Sequence, residues 1–198
     1  MRNEELFVCP PYLERGMSRL TAAGHAAFAV GGAVRDCLLG RKPHDYDLTT
    51  SATPDEIAAV FSDMRTIPTG IAHGTLTVLS DSHPIEITTF RVDGGYSDGR
   101  HPDAVSFSRR LDDDLARRDF TVNALAWSKE TGIVDLFGGI ADLRAGIIRA
   151  VGEPSLRFTE DALRILRAFR FSAKLGFAIE ARTMEAIAKK APLAAGLS

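Results

Sequence analysis

Hydrophobic residues along the first 153 positions follow helical spacing in some segments and strand spacing in others. Apolar residues at every third or fourth position predict helices, whereas short apolar runs and strict alternation predict strands. By these criteria, helices are predicted over 11–23, 33–39, 53–61, 111–117 and 120–126. Strands are predicted over 26–30, 45–49, 75–79, 85–91, 133–137 and 147–151. The two patterns together predict a domain that contains both helices and strands.

The pattern changes at residue 154, after which helical spacing continues to the end of the chain with a break at Gly176. Four apolar residues in this region follow the spacing of a buried helical stripe: Leu163, Leu166, Phe169 and Ala173. We therefore predict a domain of residues 1–153 followed by a helical segment of residues 154–198. No second core is evident for the last helices, so this segment is interpreted as incomplete.

Composition and charge argue against several classes of protein. The chain has 198 residues, 45% hydrophobic and 25% charged, which is typical of a soluble globular protein. A net charge of -2 argues against a uniformly basic nucleic-acid binder, although residues 151–198 carry 8 basic and 5 acidic side chains. No apolar run approaches the roughly 20 residues of a membrane span. An acidic N-terminus and only two cysteines, Cys9 and Cys37, predict a cytoplasmic protein.

Two adjacent glycines lie at the junction of a predicted strand and a predicted helix. At such a junction, Gly31 and Gly32 would let backbone N–H groups approach a phosphate closely. Arg35, one helical turn later, can add a charged guanidinium fork. The alternative interpretation is an ordinary turn, which is the commoner role of an isolated glycine pair.

Three acidic residues have the chemistry of a divalent metal site. Asp45 and Asp47 are two residues apart on a predicted strand, so their side chains would share one face. Glu86 lies between Ile85 and Ile87, and it would face a cleft if those residues face the core. Carboxylates together with substrate phosphates suit Mg²⁺, and three acids around two ions indicate nucleotidyl transfer. The alternative for each acid is a solvated position on a strand.

Longer motifs surround these residues in a fixed order. They are Gly31-Gly32-Ala33-Val34-Arg35-Asp36 with Asp45-Tyr46-Asp47, then Arg117-Arg118-Asp119, then the segment 135–149, then Glu160-Asp161 with Arg164. Together they resemble the class II tRNA nucleotidyltransferases (CCA-adding enzymes) and the related bacterial poly(A) polymerases over about residues 28–175. The resemblance implies an α+β fold, with a nucleotidyltransferase head whose mixed β-sheet is flanked by helices. An all-helical neck segment, which is truncated here, would follow the head.

The resemblance also implies a role for each motif residue. The catalytic and metal-binding carboxylates are Asp45, Asp47 and Glu86. The nucleotide-binding residues are Gly31, Gly32, Arg35, Arg118, Asp119, Asp161 and Arg164. Further candidate contacts are Arg117, Asn123, Arg167 and Arg170.

The chemistry of Asp161 and Arg164 is consistent with a base-reading role. Three residues apart on a predicted helix, they would share one face. The carboxylate accepts from an amino group, and the guanidinium donates to ring acceptors. Cytosine and adenine present both groups, whereas uracil and guanine present a carbonyl in place of the amino group. The alternative is a surface ion pair, which we would prefer in the absence of the other motifs.

The resemblance implies transfer of CMP and AMP from CTP and ATP to the 3′ end of tRNA, with Mg²⁺ as cofactor. The segment 69–77 looks more like CCA-adding enzymes than poly(A) polymerases. In the family, a flexible loop at 92–108, here containing Tyr96, Arg100 and His101, helps to switch from cytidine to adenosine addition. The alternatives are a poly(A) polymerase, an enzyme adding only CC or only A, and a nucleotide-binding fragment without turnover. The oligomeric state is left open.

Overall fold

The computed structural model describes residues 7–81, 83–100 and 102–195. The helices are α1 Pro11–Ala22, α2 Gly32–Leu38, α3 Pro54–Val60, α4 Leu111–Ala116, α5 Gly139–Ala145, α6 Pro154–Glu160, α7 Leu163–Leu175 and α8 Ala181–Ala194. The strands are β1 Ala27–Val30, β2 Asp47–Thr50, β3 Thr66–Gly70, β4 Thr75–Ser80, β5 His83–Thr89, β6 Arg91–Asp93, β7 Val105–Phe107, β8 Leu125–Ser128, β9 Gly132–Asp135, β10 Ile147–Ile148 and β11 Ala178–Ile179.

A central sheet in the order β3-β4-β5-β2-β1-β8-β9 organises the first part of the chain. Strands β2 and β5 run parallel, whereas the other neighbouring strands run antiparallel. The apolar face of this sheet packs against helices, and Leu20, Leu48, Ile57 and Ile85 are among the fully buried side chains of one continuous core. The mixed sheet with flanking helices confirms the predicted α+β class.

Strand β2 begins at Asp47 rather than at the predicted Asp45. The last pair of the β1–β2 ladder joins Val30 to Asp47. Beyond Val30 the chain turns into α2 through Gly31, whose φ is 67°. Residues before Asp47 therefore have no strand of β1 to pair with, and Asp45 lies in the connecting segment. The extended-strand argument for a shared face of Asp45 and Asp47 does not hold in this form.

Helix α3 forms as its local sequence predicts. The Glu56 N–H donates to the Thr53 hydroxyl at 3.4 Å, and the Thr53 N–H donates to the Glu56 carboxylate at 2.7 Å. This reciprocal capping box satisfies two N–H groups that a helix start otherwise leaves unpaired. The helix ends at Val60, with Phe61 as its C-cap.

The predicted helix over 120–126 is wrong. The segment forms a 3₁₀ turn at Thr121–Asn123 followed by β8, whose four residues are all buried. Strand β8 pairs with β1 on one side and with β9 on the other. Because two neighbouring strands satisfy its backbone groups, sheet pairing outweighs the local helical pattern.

The segment 92–108 contains more structure than the predicted loop. Strands β6 and β7 form an antiparallel hairpin in which Arg91 pairs with Phe107. Between the strands, the Tyr96 hydroxyl donates to Asp93 at 2.9 Å. Near the turn, the Gly99 carbonyl accepts from the Ala162 N–H at 2.9 Å, which joins the hairpin to the segment between α6 and α7. His101 lies outside the described residues.

After residue 153 the chain is mainly helical, as predicted, and the short strand β11 between α7 and α8 is the interruption. Strand β11 pairs in parallel with β10, and Arg149 donates to Glu180 at 2.8 Å. The backbone N–H of Ala150 also donates to the Thr183 hydroxyl at 3.2 Å. These bonds join the two regions that the sequence divides at residues 153 and 154.

The predicted buried stripe on α7 is wrong. Leu166 and Phe169 are 50% and 48% exposed. The buried face instead carries Arg164, Ile165, Ala168, Phe171 and Leu175. Both sets of residues have helical spacing, so the choice between them depends on tertiary packing and not on the period.

Within the described ranges, no helix has both the length and the apolar character needed to cross a lipid bilayer.

Candidate active site

Most of the predicted site residues line one cleft of about 430 Å³ between the sheet and α7. The predicted residues at this cleft are Gly31, Gly32, Arg35, Asp47, Arg117, Arg118, Asp119, Asn123, Asp161, Arg164, Arg167 and Arg170. Phe171 and Lys174 complete its lining. Asp45 and Glu86 are not among the residues that line it.

The glycine pair forms the start of α2 at the edge of this cleft. The φ of 67° at Gly31 lies in the left-handed region, which favours glycine over other residues. A Cβ atom at this position would lie 3.1 Å from Nη1 of Arg118. The N–H of Gly31 donates to the Leu125 carbonyl at 3.0 Å and is therefore already used. An anion in the cleft would meet the next amide of α2, that of Gly32.

Arg35 is a buried guanidinium held on three sides. Its Nη1 donates to Oδ1 of Asn123 at 2.5 Å, and its Nε donates to Asp36 at 2.8 Å. Its guanidinium carbon lies 5.3 Å from the centre of the Phe171 ring. Only 3% of Arg35 is exposed, so its contacts give it a fixed position in the cleft wall.

Phe171 lies at the centre of a group of cations. The guanidinium carbons of Arg35, Arg167 and Arg170 lie 5.2–5.4 Å from its ring centre. This distance suits cation–π attraction, which is strengthened where the ring is buried. The sequence analysis missed Phe171 and Lys174. Their spacing from Arg164 and Arg167 along one helix was the available signal.

Asp114 on α4 is a third residue, after Phe171 and Lys174, that was not predicted from the sequence. It is fully buried and accepts from Arg117 at 2.6 Å and from Arg118 at 3.0 Å. Burial alone would raise the pKa of Asp114, but the Arg118 and Arg117 charges outweigh it and lower the pKa below its usual value. Its separations of three and four residues from these arginines on a predicted helix could have indicated the contact.

Asp119 connects the sheet side of the cleft to α7. One carboxylate oxygen accepts from Asn123 at 3.1 Å and from the Phe120 N–H at 2.7 Å. The other accepts from Nε of Arg167 at 2.8 Å. Because Asn123 also accepts from Arg35, these side chains form one connected polar network.

The helical premise for Asp161 and Arg164 is wrong, although both residues line the cleft. Asp161 follows α6 in an extended conformation, with φ -140° and ψ 102°, and it accepts from the Leu163 N–H. Arg164 on α7 donates to Glu160 at 2.7 Å, whereas its Nε lies 3.9 Å from Asp161. The main partner of Arg164 is therefore Glu160, and the Asp161 carboxylate retains acceptor capacity towards the cleft.

The predicted metal-binding acids are only partly assembled. Asp47 and Glu86 are direct partners across the parallel β2–β5 ladder. Ile85 and Ile87 are fully buried, so Glu86 projects away from the core as predicted. Desolvation by burial, and then the charge of Glu86, raise the pKa of Asp47 above its usual value, whereas the charge of Arg118 lowers it in part. In the part of the chain that is described, no three His, Cys, Asp or Glu side chains already form a metal cluster.

Comparison with protein families gives a match over much of the chain. The family described as Poly A polymerase head domain matches residues 27–149. Among curated relatives, a CCA-adding enzyme of Leuconostoc mesenteroides is 52% identical over 176 residues, covering 89% of this chain and 43% of that protein. A CCA-adding enzyme of Streptococcus suis is 54% identical over 177 residues, again covering 89% of this chain and 43% of the relative.

Solved structures give a consistent result. A Bacillus stearothermophilus CCA-adding enzyme in complex with CTP superposes with a TM-score of 0.87 and 44% identity, covering 96% of this chain and 46% of that one. A Thermotoga maritima CCA-adding enzyme complexed with tRNA has a TM-score of 0.75 and 28% identity, covering 95% and 44%. The chain thus spans less than half the length of these similar proteins.

Proposed function

Since the chain belongs to the poly A polymerase head-domain family, we propose that it transfers nucleotidyl groups to the 3′ end of an RNA. The specific activity that we propose is addition of CMP and AMP from CTP and ATP to tRNA. The similar proteins named CCA-adding enzymes, and the complexes of two of them with CTP and tRNA, support this choice of substrates.

The observation that carries the proposal is the assembly of phosphate-binding and base-reading candidates in one cleft. Seven cations line it, namely Arg35, Arg117, Arg118, Arg164, Arg167, Arg170 and Lys174. Three carboxylates accompany them, namely Asp47, Asp119 and Asp161. The excess of four positive charges suits a polyanion such as a nucleoside triphosphate.

The acidic residues fit a divalent cation by their chemistry. Asp47 and Glu86 lie side by side on neighbouring strands and offer hard oxygen donors, and Asp45 in the segment before β2 is the proposed third carboxylate. In this proposal they hold Mg²⁺, which would lower the pKa of the attacking RNA hydroxyl and balance the charge of the leaving pyrophosphate.

The chain's own residues orient the nucleotide. The Gly32 amide and the guanidinium of Arg118 would hold the triphosphate near Asp47, since both line the same cleft. Asp161 would accept from the amino group of cytosine or adenine, and Arg164 would donate to the adjacent ring acceptor. Uracil or guanine would place a carbonyl against Asp161, which would leave that buried polar contact unpaired.

The alternative products keep the same chemistry. A poly(A) polymerase would share the family's head domain, and enzymes that add only CC or only A would share the cleft. We propose residues 1–153 as the catalytic head and residues 154–198 as the start of a helical RNA-binding region. The proposed substrates place the activity in the cytoplasm, where the free thiols of Cys9 and Cys37 would stay reduced.

Product analysis tests this proposal. The full-length protein is incubated with Mg²⁺ and a tRNA that lacks its three terminal nucleotides, and each labelled nucleoside triphosphate is supplied singly and in combination. The expected product gains C, C and A and then stops. Long A tracts would instead establish a poly(A) polymerase, and incorporation of U or G would contradict the base-reading assignment.

A further inference from the structure

Asp114 is the most deeply buried carboxylate near the cleft, yet it does not line it. Its side chain is fully buried in α4. Of its oxygens, Oδ1 accepts two bonds from Arg117 and Oδ2 accepts one from Arg118. A buried carboxylate is costly unless such partners compensate it, so the two arginines and Asp114 are held as one unit.

From this unit, the side chain of Arg118 extends to Gly31, the residue that directly follows β1. Its Nη1 is the atom that a Cβ at Gly31 would approach to 3.1 Å. Its Nη2 is held by Asp114. Its Nε is buried and has no hydrogen-bond partner within the described residues. The Arg118 side chain itself lines the cleft, so its guanidinium can donate to a ligand oxygen there.

Asp114 also contacts the strand that carries Asp47. The hydroxyl of Thr49, two residues along β2 from Asp47, lies 3.3 Å from Oδ2 of Asp114 and 3.1 Å from the Thr88 carbonyl, and its one proton serves both acceptors. Residues two apart on a strand share a face, so Asp114 lies beneath the side of β2 from which Asp47 projects. The same carboxylate oxygen therefore fixes Arg118 relative to β2.

We propose that Asp114 is a positioning residue that holds the Arg118 guanidinium against Gly31 and β2, so that this guanidinium can donate from the cleft wall to a phosphate of the bound nucleoside triphosphate. This inference rests on the proposed function, because it requires a nucleotide in the cleft. Asp114 touches neither nucleotide nor metal and acts through Arg118.

A double-mutant cycle on CTP binding tests this role. The dissociation constant for CTP is measured by calorimetry, with Mg²⁺ present, for the full-length protein and for Asp114→Asn, Arg118→Ala and the double variant. Asparagine keeps the shape of Asp114 but removes the charge that holds Arg118. We expect Asp114→Asn to weaken CTP binding about tenfold and the double variant to bind like Arg118→Ala alone.

Controls separate positioning from folding. Asp112→Asn changes an exposed acid of the same helix, whose partner is Arg110, and should leave CTP affinity within about twofold. Thermal unfolding of each variant checks the fold. If Asp114→Asn does not fold, Asp114→Glu replaces it in the cycle, since glutamate keeps the charge but displaces Arg118.

The outcomes are distinguishable. Additive losses, or unchanged CTP affinity in the Asp114 variant, would overturn the positioning role while leaving the proposed function intact. Failure of the unsubstituted protein to bind CTP would overturn the proposed function and this inference with it.

Discussion

The basic and the acidic residues of the candidate site hold their charges in opposite ways. Five guanidinium groups each have a carboxylate partner: those of Arg35 on α2, Arg117 and Arg118 directly after α4, and Arg164 and Arg167 on α7. On the sheet, the carboxylates of Asp45, Asp47 and Glu86 have no hydrogen bond or ion pair within residues 7–81, 83–100 and 102–195. We call the first group the basic wall and the second the acidic edge.

This difference shows which part of the site is built in advance. The basic wall is fixed by ion pairs and by the Phe171 ring, so it costs little reorganisation when an anion binds. The acidic edge has no such partners among the described residues, and desolvation together with the neighbouring charge of Glu86 raises the pKa of Asp47, which the Arg118 charge offsets only in part. In the proposed function, metal and substrate together complete the acidic edge.

Removal of a carboxylate from the acidic edge should have the largest effect. Asp47→Ala should reduce nucleotide addition to tRNA by several orders of magnitude, because the proposed metal ligands supply most of the catalysis. Incorporation of labelled CMP measures the rate. Asp55→Ala, which removes an exposed acid in the first turn of α3, is the matched control and should retain the rate. A near-normal rate for Asp47→Ala would remove this residue from the active site.

A change at Asp161, the proposed base-reading carboxylate beside the basic wall, should alter nucleotide selectivity more than the rate of addition. Asp161→Ala removes the proposed acceptor for the amino group, so the preference for CTP over UTP should fall by about 100-fold. Competition between labelled CTP and UTP measures this ratio. Glu185→Ala, an exposed acid on α8 that pairs with Lys189, should leave it unchanged. An unaltered ratio in Asp161→Ala would indicate that Asp161 has only a structural role.

Alanine substitutions at two glycines with the same φ distinguish backbone strain from a steric clash with Arg118. Gly31 and Gly40 both have φ of 67°, so alanine at either should cost about 1–2 kcal/mol of unfolding free energy. Only at Gly31 would the new Cβ approach Arg118, whereas at Gly40 no atom of the described residues lies within 4 Å of it. Gly31→Ala should therefore weaken CTP binding several-fold, and Gly40→Ala should not. Equal effects on CTP affinity would show that Arg118 is not positioned against Gly31.

The smallest effect should come from a helix outside both regions. Thr53→Ala removes the hydroxyl half of the α3 capping box and should lower the unfolding free energy by about 1 kcal/mol. Denaturant unfolding measures this change, and CMP incorporation should stay at the unsubstituted level. A loss of CMP incorporation without a loss of stability would contradict the placement of α3 outside the active site.

The elements that were predicted well are those with local signals. The capping residues of α3 act within four positions, and the alternation around Glu86 requires only that Ile85 and Ile87 be buried. The motif residues of the cleft were also assembled largely as expected, since Gly31, Arg118 and Arg164 line one cavity.

The errors arose where distant partners decide the structure. Strand β8 pairs with β1 and β9, and the local sequence pattern of residues 120–126 does not predict either pairing. On α7, two apolar stripes compete, and the rest of the fold selects the one containing Phe171. Asp161 is extended and not helical because the chain turns between α6 and α7, where the Ala162 N–H donates to the Gly99 carbonyl. Asp114 was missed because an acid among Asp112 and Asp113 looks solvated until its burial is known.

The dependence of CTP binding on Mg²⁺ tests the central claim most directly, because the acidic edge is proposed to be completed by metal and nucleotide together. Calorimetry on the full-length protein compares CTP affinity in Mg²⁺ with that in EDTA, for the unsubstituted chain and for Asp47→Ala. The account predicts that Mg²⁺ strengthens CTP binding by about tenfold or more in the unsubstituted chain and that Asp47→Ala removes most of this gain. Equal affinity with and without Mg²⁺, or a gain that Asp47→Ala leaves intact, would contradict it.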